Sequence, residues 1–377
     1  MLIVLDDSII EEIHSLNGNE WSALSHLAVA HRQGDHLLLA SRHLSKMLAQ
    51  HPNLNPRDRS IYQLIESKFT DLSRSQQCVN TYANITRDTT IEKISSKNKN
   101  IVKLPLTYFS SSKSTKPSSL LAENLIDCKL IAEIARSYAR SLVNGGLNVS
   151  FNMIPGGGST TADILEEALT VNEGLLLICV DSDRKSPLSS LGATALNTKR
   201  VFDKYTRPTS ELHILNAREL ENILPDEFYI NTFGNTTGLK ETVNVITAFY
   251  ANDLQTARLY IDIKEGLTLN ALQIEFNKCT DYKIVWVPVE EAISRNKFPI
   301  ALHCNPCQKQ IKPVTSTCTC IVTGPNPHKI LSKALISFQR HGKQMINSMP
   351  SSQLKQVLLN FGQLVLDWGF SSRGISG

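Results

Sequence analysis

Two apolar runs that end in acids constrain this chain more than any other feature. Residues 120–127 read Leu-Leu-Ala-Glu-Asn-Leu-Ile-Asp, and residues 175–183 read Leu-Leu-Leu-Ile-Cys-Val-Asp-Ser-Asp. Each has the character of a buried strand, and parallel α/β sheets place their chemistry at the carboxyl ends of such strands. Glu123, Asp181 and Asp183 are therefore expected to meet on one sheet edge. Carboxylates held together repel one another unless a cation joins them. Hard oxygen donors of this kind suit Mg²⁺ or Mn²⁺. Taken singly, Glu123 reads as a helix cap and Asp181 as the start of a turn. Taken as a pair with a helix-length segment between them, they read as metal ligands.

With 377 residues, of which 41% are apolar, the chain has material for a sizeable core and for about two or three domains. It carries no apolar run of membrane-spanning length. The stretch Met1-Leu2-Ile3-Val4-Leu5-Asp6-Asp7 lacks a basic region and soon turns acidic, so a secretory signal is not expected and the cytoplasm is. A net charge of +4 is too small to imply a nucleic-acid partner by itself. Of the eight cysteines, Cys128 and Cys179 sit in apolar runs and read as small core residues, while Cys78 and Cys279 are isolated. Cys304, Cys307, Cys318 and Cys320 crowd together, which in the absence of a secretory signal reads as a metal site. Four thiolates would close a tetrahedral structural Zn²⁺ site, with His303 and His328 as spare donors. Lys309 and Lys312 lie within or beside that loop, where a zinc module could touch nucleic acid.

Periodicity divides the chain into four parts. Residues 1–93 form an N-terminal α/β unit: strands near 2–5 and 35–41, helical spacing from Ile9, and helices near 42–50 and 58–72. Residues 94–119 are rich in Ser and Lys and read as a basic linker with an ordered patch at 101–109. Residues 120–230 alternate strands and helices, which argues for a parallel sheet with right-handed crossovers. Residues 231–377 are mostly helical and contain the cysteine element at 303–320. Within them, 259–266 alternates like a strand, which would place Asp262 and Lys264 on one face.

The order Glu123-x-x-x-Asp127, then Asp181-x-Asp183, resembles the TOPRIM domain. That domain is shared by topoisomerases, bacterial primases, small recombination mediators, a ribosomal-RNA maturase and nucleases of the overcoming-lysogenization-defect type. The likeness covers residues 120–225. Arg218-Glu219-Leu220-Glu221-Asn222 resembles the acidic element that follows the Asp-x-Asp strand in the nuclease-like members. Asn124 stands where primase-like members carry Gly, and Arg184 and Lys185 follow Asp183 where primases have small residues. Both departures point away from primases and topoisomerases. The resemblance implies a strand-end Glu and an Asp-x-Asp pair holding Mg²⁺ for phosphoryl chemistry, and an ATPase partner in antiviral defence.

Phosphodiester hydrolysis needs an activated water and stabilised phosphate charge, and one or two divalent ions can supply both. Glu123, Asp181 and Asp183 are the expected ligands, with Glu123 doubling as general base. Glu219 and Glu221 are candidates for a second ion. Asp127, one turn beyond Glu123, either orients a ligand or is an N-terminal helix acid favoured by the dipole. Gly156, Gly157 and Gly158 join a strand to a helix, where free N–H groups can bind phosphate. No Lys follows them, so this is not a Walker loop. Arg184, Lys185 and Lys264 could contact phosphate or balance the acids. Asp6 and Asp7 at the end of the first strand, with Ser41 after the second, faintly resemble PIN-type nucleases. Three functions stay open: a metal-dependent nuclease acting on DNA or RNA, a non-catalytic nucleic-acid-binding or recombination mediator with a zinc module, and a PIN-like ribonuclease. A homo-oligomer is compatible with each.

Overall fold

The computed structural model describes residues 1–96, 99–142, 147–171, 174–236, 239–264, 266–268, 271–272, 276–295, 321–323 and 329–374. The protein is mixed α/β, and its two larger sheets contain parallel strands. Among the described residues no helix is long and apolar enough to cross a membrane. The chain divides into two units. The first comprises Met1–Cys179, Arg200–His213 and Asn360–Gly377, the second Val180–Lys199 and Ile214–Leu359.

In the first unit, strands β1 (Leu2–Leu5), β2 (Leu37–Ala40), β3 (Thr81–Thr86), β4 (Glu92–Ser96) and β5 (Lys99–Pro105) form a sheet of order β2-β1-β3-β5-β4. All its pairings are parallel except β4 with β5. The helix Gly18–Gln33 crosses from β1 to β2. Asn17 and Glu20 close a capping box at its start, and Gly34, at φ 83°, ends it in the left-handed conformation that glycine takes without cost. Residues 94–119, expected as a linker, instead supply β5 and most of β4. Of the Ser and Lys residues that suggested a linker, Ser95 and Ser96 end the antiparallel edge strand β4, which is largely exposed, and charged or polar edges are how sheets avoid pairing with other chains. The apolar Val102 and Leu104 are buried.

The second sheet has the order β10-β9-β6-β8. Its strands are β6 (Ser119–Ala122), β8 (Asn152–Pro155), β9 (Leu176–Val180) and β10 (Ser210–Ile214); β7 (Asn148–Val149) pairs elsewhere, with Phe370–Ser371. Strand β6 runs parallel to both β8 and β9. Leu120, Leu121, Leu177 and Ile178 are fully buried, as expected of a parallel sheet covered on both faces. Cys128 and Cys179 are buried free thiols in this core. The C-terminal residues, expected as part of a separate helical region, belong to this unit. Asp367 accepts the Asn80 and Thr81 N–H groups at 2.9 and 3.1 Å, and the Trp368 indole donates to Glu211 at 2.9 Å. A contact spanning so many residues leaves no periodic trace in one sequence.

Burial pushes the Asp367 carboxyl up to about 7 despite these hydrogen bonds. A raised carboxyl binds its proton more tightly in the folded state, so its contribution to stability is largest below about pH 4. That contribution declines as pH rises towards 7, then levels off. Denaturant unfolding should show wild type losing about 2 to 3 kcal/mol between pH 5 and 8 relative to Asp367→Asn. Parallel pH profiles for the two proteins would contradict this assignment.

The second unit is mostly helical, with helices Asp226–Phe233, Lys240–Ala251, Val287–Ser294 and Ile330–Ser348, and a short antiparallel pair, Leu267–Thr268 with Ile321–Thr323. Phe228, Tyr229, Phe233, Phe249 and Trp286 are fully buried. Residues 120–230, expected as one domain, divide between the two units. The cysteine element at 303–320, with Cys304, Cys307, Cys318 and Cys320, lies outside the described residues, as do His303, Lys309, Lys312 and His328.

Candidate active site

The chain leaves β9 at Asp181 and turns at once. The Ser182 and Asp183 N–H groups both donate to the Arg218 carbonyl, at 3.0 and 2.9 Å, and the Ser182 hydroxyl donates to the Ala217 carbonyl at 2.6 Å. The Asp-x-Asp turn is thus stitched to the segment that carries Glu219 and Glu221. Asp181 Oδ1 accepts the Leu220 N–H at 2.9 Å, which fixes that carboxylate on the same segment. Asp183 adopts φ 52°, a left-handed conformation that costs on the order of 1 kcal/mol and tends to persist where function requires it.

Asn222 holds the acidic segment from beneath. Its Oδ1 accepts the Glu219 N–H at 3.0 Å, and its Nδ2 donates to the carbonyls of Arg258 and Ile261 at 3.1 and 2.8 Å. The Arg258 guanidinium, buried in turn, donates to the Asn222 and Leu224 carbonyls and to Asp226. Arg218 donates its N–H to the Leu259 carbonyl and pairs with Asp262 at 2.7 Å. These bonds lash residues 217–226 to residues 258–262. The continuation places Lys264 Nζ 3.5 Å from Glu219 and 3.2 Å from Glu221.

The described residues of 259–266 therefore do not form the strand their alternation predicts. Leu259, Ile261 and Ile263 are buried, but they pack a turn against the acidic segment. Asp262 and Lys264 have different partners: the first neutralises Arg218, the second the two glutamates.

Glu219 and Glu221 are 9% and 2% exposed. Burial drives the Glu219 carboxyl up to about 7; Lys264 opposes this, and Glu221 and Asp262 reinforce it. Burial disfavours the Lys264 ammonium, but Glu221, Glu219 and Asp181 together outweigh that and raise its pKa. Asp181, Glu219, Glu221 and Lys264 thus form one electrostatic cluster. Among the described residues, no three or more His, Cys, Asp or Glu side chains stand gathered around one metal position. The donor set is nonetheless hard oxygen, as Mg²⁺ and Mn²⁺ require, and an ammonium takes up the positive position beside the two glutamates.

Asp183 lines a separate cleft of about 360 Å³, with Lys185, Gly192 and Lys278 on its walls. Gly192 donates its N–H to the Ser182 carbonyl at 2.9 Å, and a methyl group there would overlap the Asp183 side chain. Gly192→Ala should displace Asp183 and destabilise the protein by about 1 to 3 kcal/mol. A melting temperature equal to wild type would show that the turn yields freely. The Arg184 guanidinium bonds the Pro187 carbonyl at 3.2 Å, and the Lys185 ammonium lies 5.6 Å over the Phe276 ring. Both were expected beside phosphate. As folded, Arg184 supports its own loop.

Glu123 belongs to the first unit, where the glycine loop fixes its main chain. The Gly157 and Gly158 N–H groups donate to the Glu123 carbonyl at 2.7 and 3.1 Å, and Gly156 donates to Ala122 at 2.7 Å. Gly157 and Gly158 take φ 75° and 68°, which favours glycine. The expectation that Gly156, Gly157 and Gly158 cradle a phosphate is corrected: their N–H groups face protein carbonyls, and the loop positions Glu123. Asp127 also has a local task. Its Oδ2 accepts the Asn124 N–H at 3.1 Å, and Asn124 Oδ1 accepts the Ile126 and Asp127 N–H groups. Together they cap the helix Leu125–Leu142, which accounts for Asp127 without a ligand.

At the N-terminal sheet, Asp6 accepts from the Ser8 N–H and from Asn84. It lines a cleft of about 750 Å³ shared with Glu11, Glu20, Thr86, Arg87 and Lys103. Asp7 precedes a one-turn helix at Ser8–Glu11, and Ser41 caps the helix Arg42–Gln50 by accepting the Leu44 N–H.

Fold and site together define a mixed α/β protein with parallel strands and a buried acidic cluster balanced by lysine. No protein-family model matches the chain, and comparisons with curated proteins and with solved structures return no match either.

Proposed function

We propose that this chain is a TOPRIM-like, metal-dependent nuclease that hydrolyses nucleic-acid phosphodiester bonds. One observation carries the proposal: Asp181, from the end of β9, joins the buried Glu219 and Glu221, some forty residues further on, in one cluster with the half-buried Lys264. Burying carboxylates is costly even when a lysine pairs with them, and perturbed acids of this kind cluster at functional sites. Asp181 together with Glu219 or Glu221 would hold Mg²⁺ or Mn²⁺. When bound, such an ion stabilises charge on phosphate oxygens and makes a water more acidic. Asn222 and Arg258 hold the carboxylates in place, and Lys264 offers positive charge to an incoming phosphate. The family resemblance adds Glu123 and Asp183 to the residues on which cleavage depends.

The same resemblance supports the wider reading of a protein working with an ATPase in antiviral defence, and the crowding of Cys304, Cys307, Cys318 and Cys320 in the sequence supports a structural Zn²⁺ there. The test is incubation of the full chain with single- and double-stranded DNA and RNA. Cleavage of at least one substrate that needs Mg²⁺ or Mn²⁺ and stops on chelation is expected. A cleavage that persists in chelator would refute it.

A second reading has its own support. Strand β1 lies between β2 and β3, so the cleft beside Asp6 sits where the strand order reverses, a favoured ligand position in open α/β sheets. A PIN-like ribonuclease would act there, and Asp6→Ala would then abolish cleavage that Asp181→Asn leaves intact.

A further inference from the structure

We propose that Lys264 is a built-in counter-ion that competes with the divalent cation for Glu219 and Glu221, so that the cation enters only as the ammonium withdraws. The proposal rests on the nuclease reading and concerns how its site is loaded. The Lys264 nitrogen stands 3.2 Å from Glu221 and 3.5 Å from Glu219. At those distances the ammonium takes up positive ground that a bridging cation would need. The carboxylates and the lysine differ in freedom. The Glu221 and Glu219 side chains are 2% and 12% exposed, whereas that of Lys264 is 41% exposed.

The backbone explains the difference. Glu219 and Glu221 flank a segment pinned by Asn222, by the Asp181 bond to Leu220 and by the Tyr229 hydroxyl, which donates to the Glu221 carbonyl at 2.8 Å. Lys264 sits within the turn that the Gly266 N–H closes onto the Asp262 carbonyl, on a flexible stem with three rotatable donors. Of the partners in this cluster, the lysine can leave at least cost. Its withdrawal would place a mobile cation at the mouth of the site, and a dication would gain the two carboxylates that the ammonium had held. A purely structural salt bridge makes a different forecast: loss of stability on removal, with cation affinity unchanged.

The experiment is calorimetric titration of MnCl₂ into full-length wild type, Lys264→Met and Lys264→Arg. The same proteins are then melted over a range of MnCl₂ concentrations. Lys264→Met should bind Mn²⁺ at least tenfold more tightly than wild type. It should melt lower without the ion and gain more in melting temperature when the ion is added. Lys264→Arg, which keeps the charge, should stay within a few-fold of wild type. Wild-type binding that Lys264→Met leaves unchanged or weakens overturns this proposal alone. Absence of Mn²⁺ binding in all three proteins overturns the nuclease reading with it. Should Lys264→Met fail to fold without the ion, Lys264→Gln enters the same titration and carries the same two outcomes.

Discussion

Asp181→Asn is expected to lower Mg²⁺- or Mn²⁺-dependent cleavage by at least about 10²–10³-fold while leaving nucleic-acid binding within a few-fold of wild type. The reasoning is electrostatic. The substitution is nearly isosteric and Asn Oδ1 can still accept the Leu220 N–H, now held at 2.9 Å by Asp181, so the turn keeps its shape. What is lost is one full negative charge in a site where every ligand oxygen must offset a dication. Glu221→Gln, at a side chain only 2% exposed, should behave alike. Glu123→Ala provides the separate test of the strand-end acid in the first unit. Cleavage measured on a labelled oligonucleotide, beside a filter-binding or anisotropy titration, distinguishes lost chemistry from lost binding. Activity within tenfold of wild type in Asp181→Asn would remove this site from the reaction. If the loss instead follows Asp6→Ala, the activity belongs to the N-terminal cleft.

Asn222→Ala should be the most damaging single change in the second unit away from its apolar core, at about 3 to 5 kcal/mol. The side chain is fully buried and makes three hydrogen bonds, to the Glu219 N–H and to the Arg258 and Ile261 carbonyls. Deleting it leaves each of those groups without that partner, at about 1 to 3 kcal/mol apiece before relaxation. Asn222→Asp is expected to be no better, because a carboxylate would face two carbonyl oxygens and lie next to Glu219 and Glu221. Denaturant midpoints supply the measurement. A shift under about 1 kcal/mol would mean that water or a rearranged Arg258 replaces the amide, and that Asn222 does not set the position of the acids.

Much of the first unit can be read from the residues. The apolar runs at Leu2–Leu5, Ser119–Ala122 and Leu176–Val180 are strands, and the helix expected after the second covers Leu125–Leu142. Parallel strands buried on both faces announce themselves by continuous apolarity. Misreadings occur where local composition and tertiary context disagree. Ser95, Ser96 and Lys99 look like linker, yet they end β4 and begin β5, because an edge strand tolerates polar residues. Leu259 to Ile263 alternate like a strand, yet among the described residues no strand pairs with them, and their partners are Arg218 and Asn222.

The site shows the same division. Asp181 could be singled out because acids at strand ends carry a recognisable chemistry, and Glu219 and Glu221 because their segment resembles the acidic element of nuclease-like TOPRIM domains. Asn222 and Arg258 could not, because an amide and a guanidinium give no periodic signal, and nothing local links positions so far apart. The glycine loop misled for a related reason. Glycines before a helix suit a phosphate or a tight protein turn equally well, and only the carbonyls of Ala122 and Glu123 decide between them.

On this reading Asp181, Glu219 and Glu221 are there to hold a divalent cation. Its most direct test is a crystal of the full chain soaked in MnCl₂ and measured at the manganese absorption edge. An anomalous peak is expected with carboxylate oxygens of Asp181 and of Glu219 or Glu221 at about 2.0–2.3 Å, and Lys264 turned away from it. Well-ordered density with Lys264 still seated between the glutamates, and no peak beside them at saturating manganese, would contradict it.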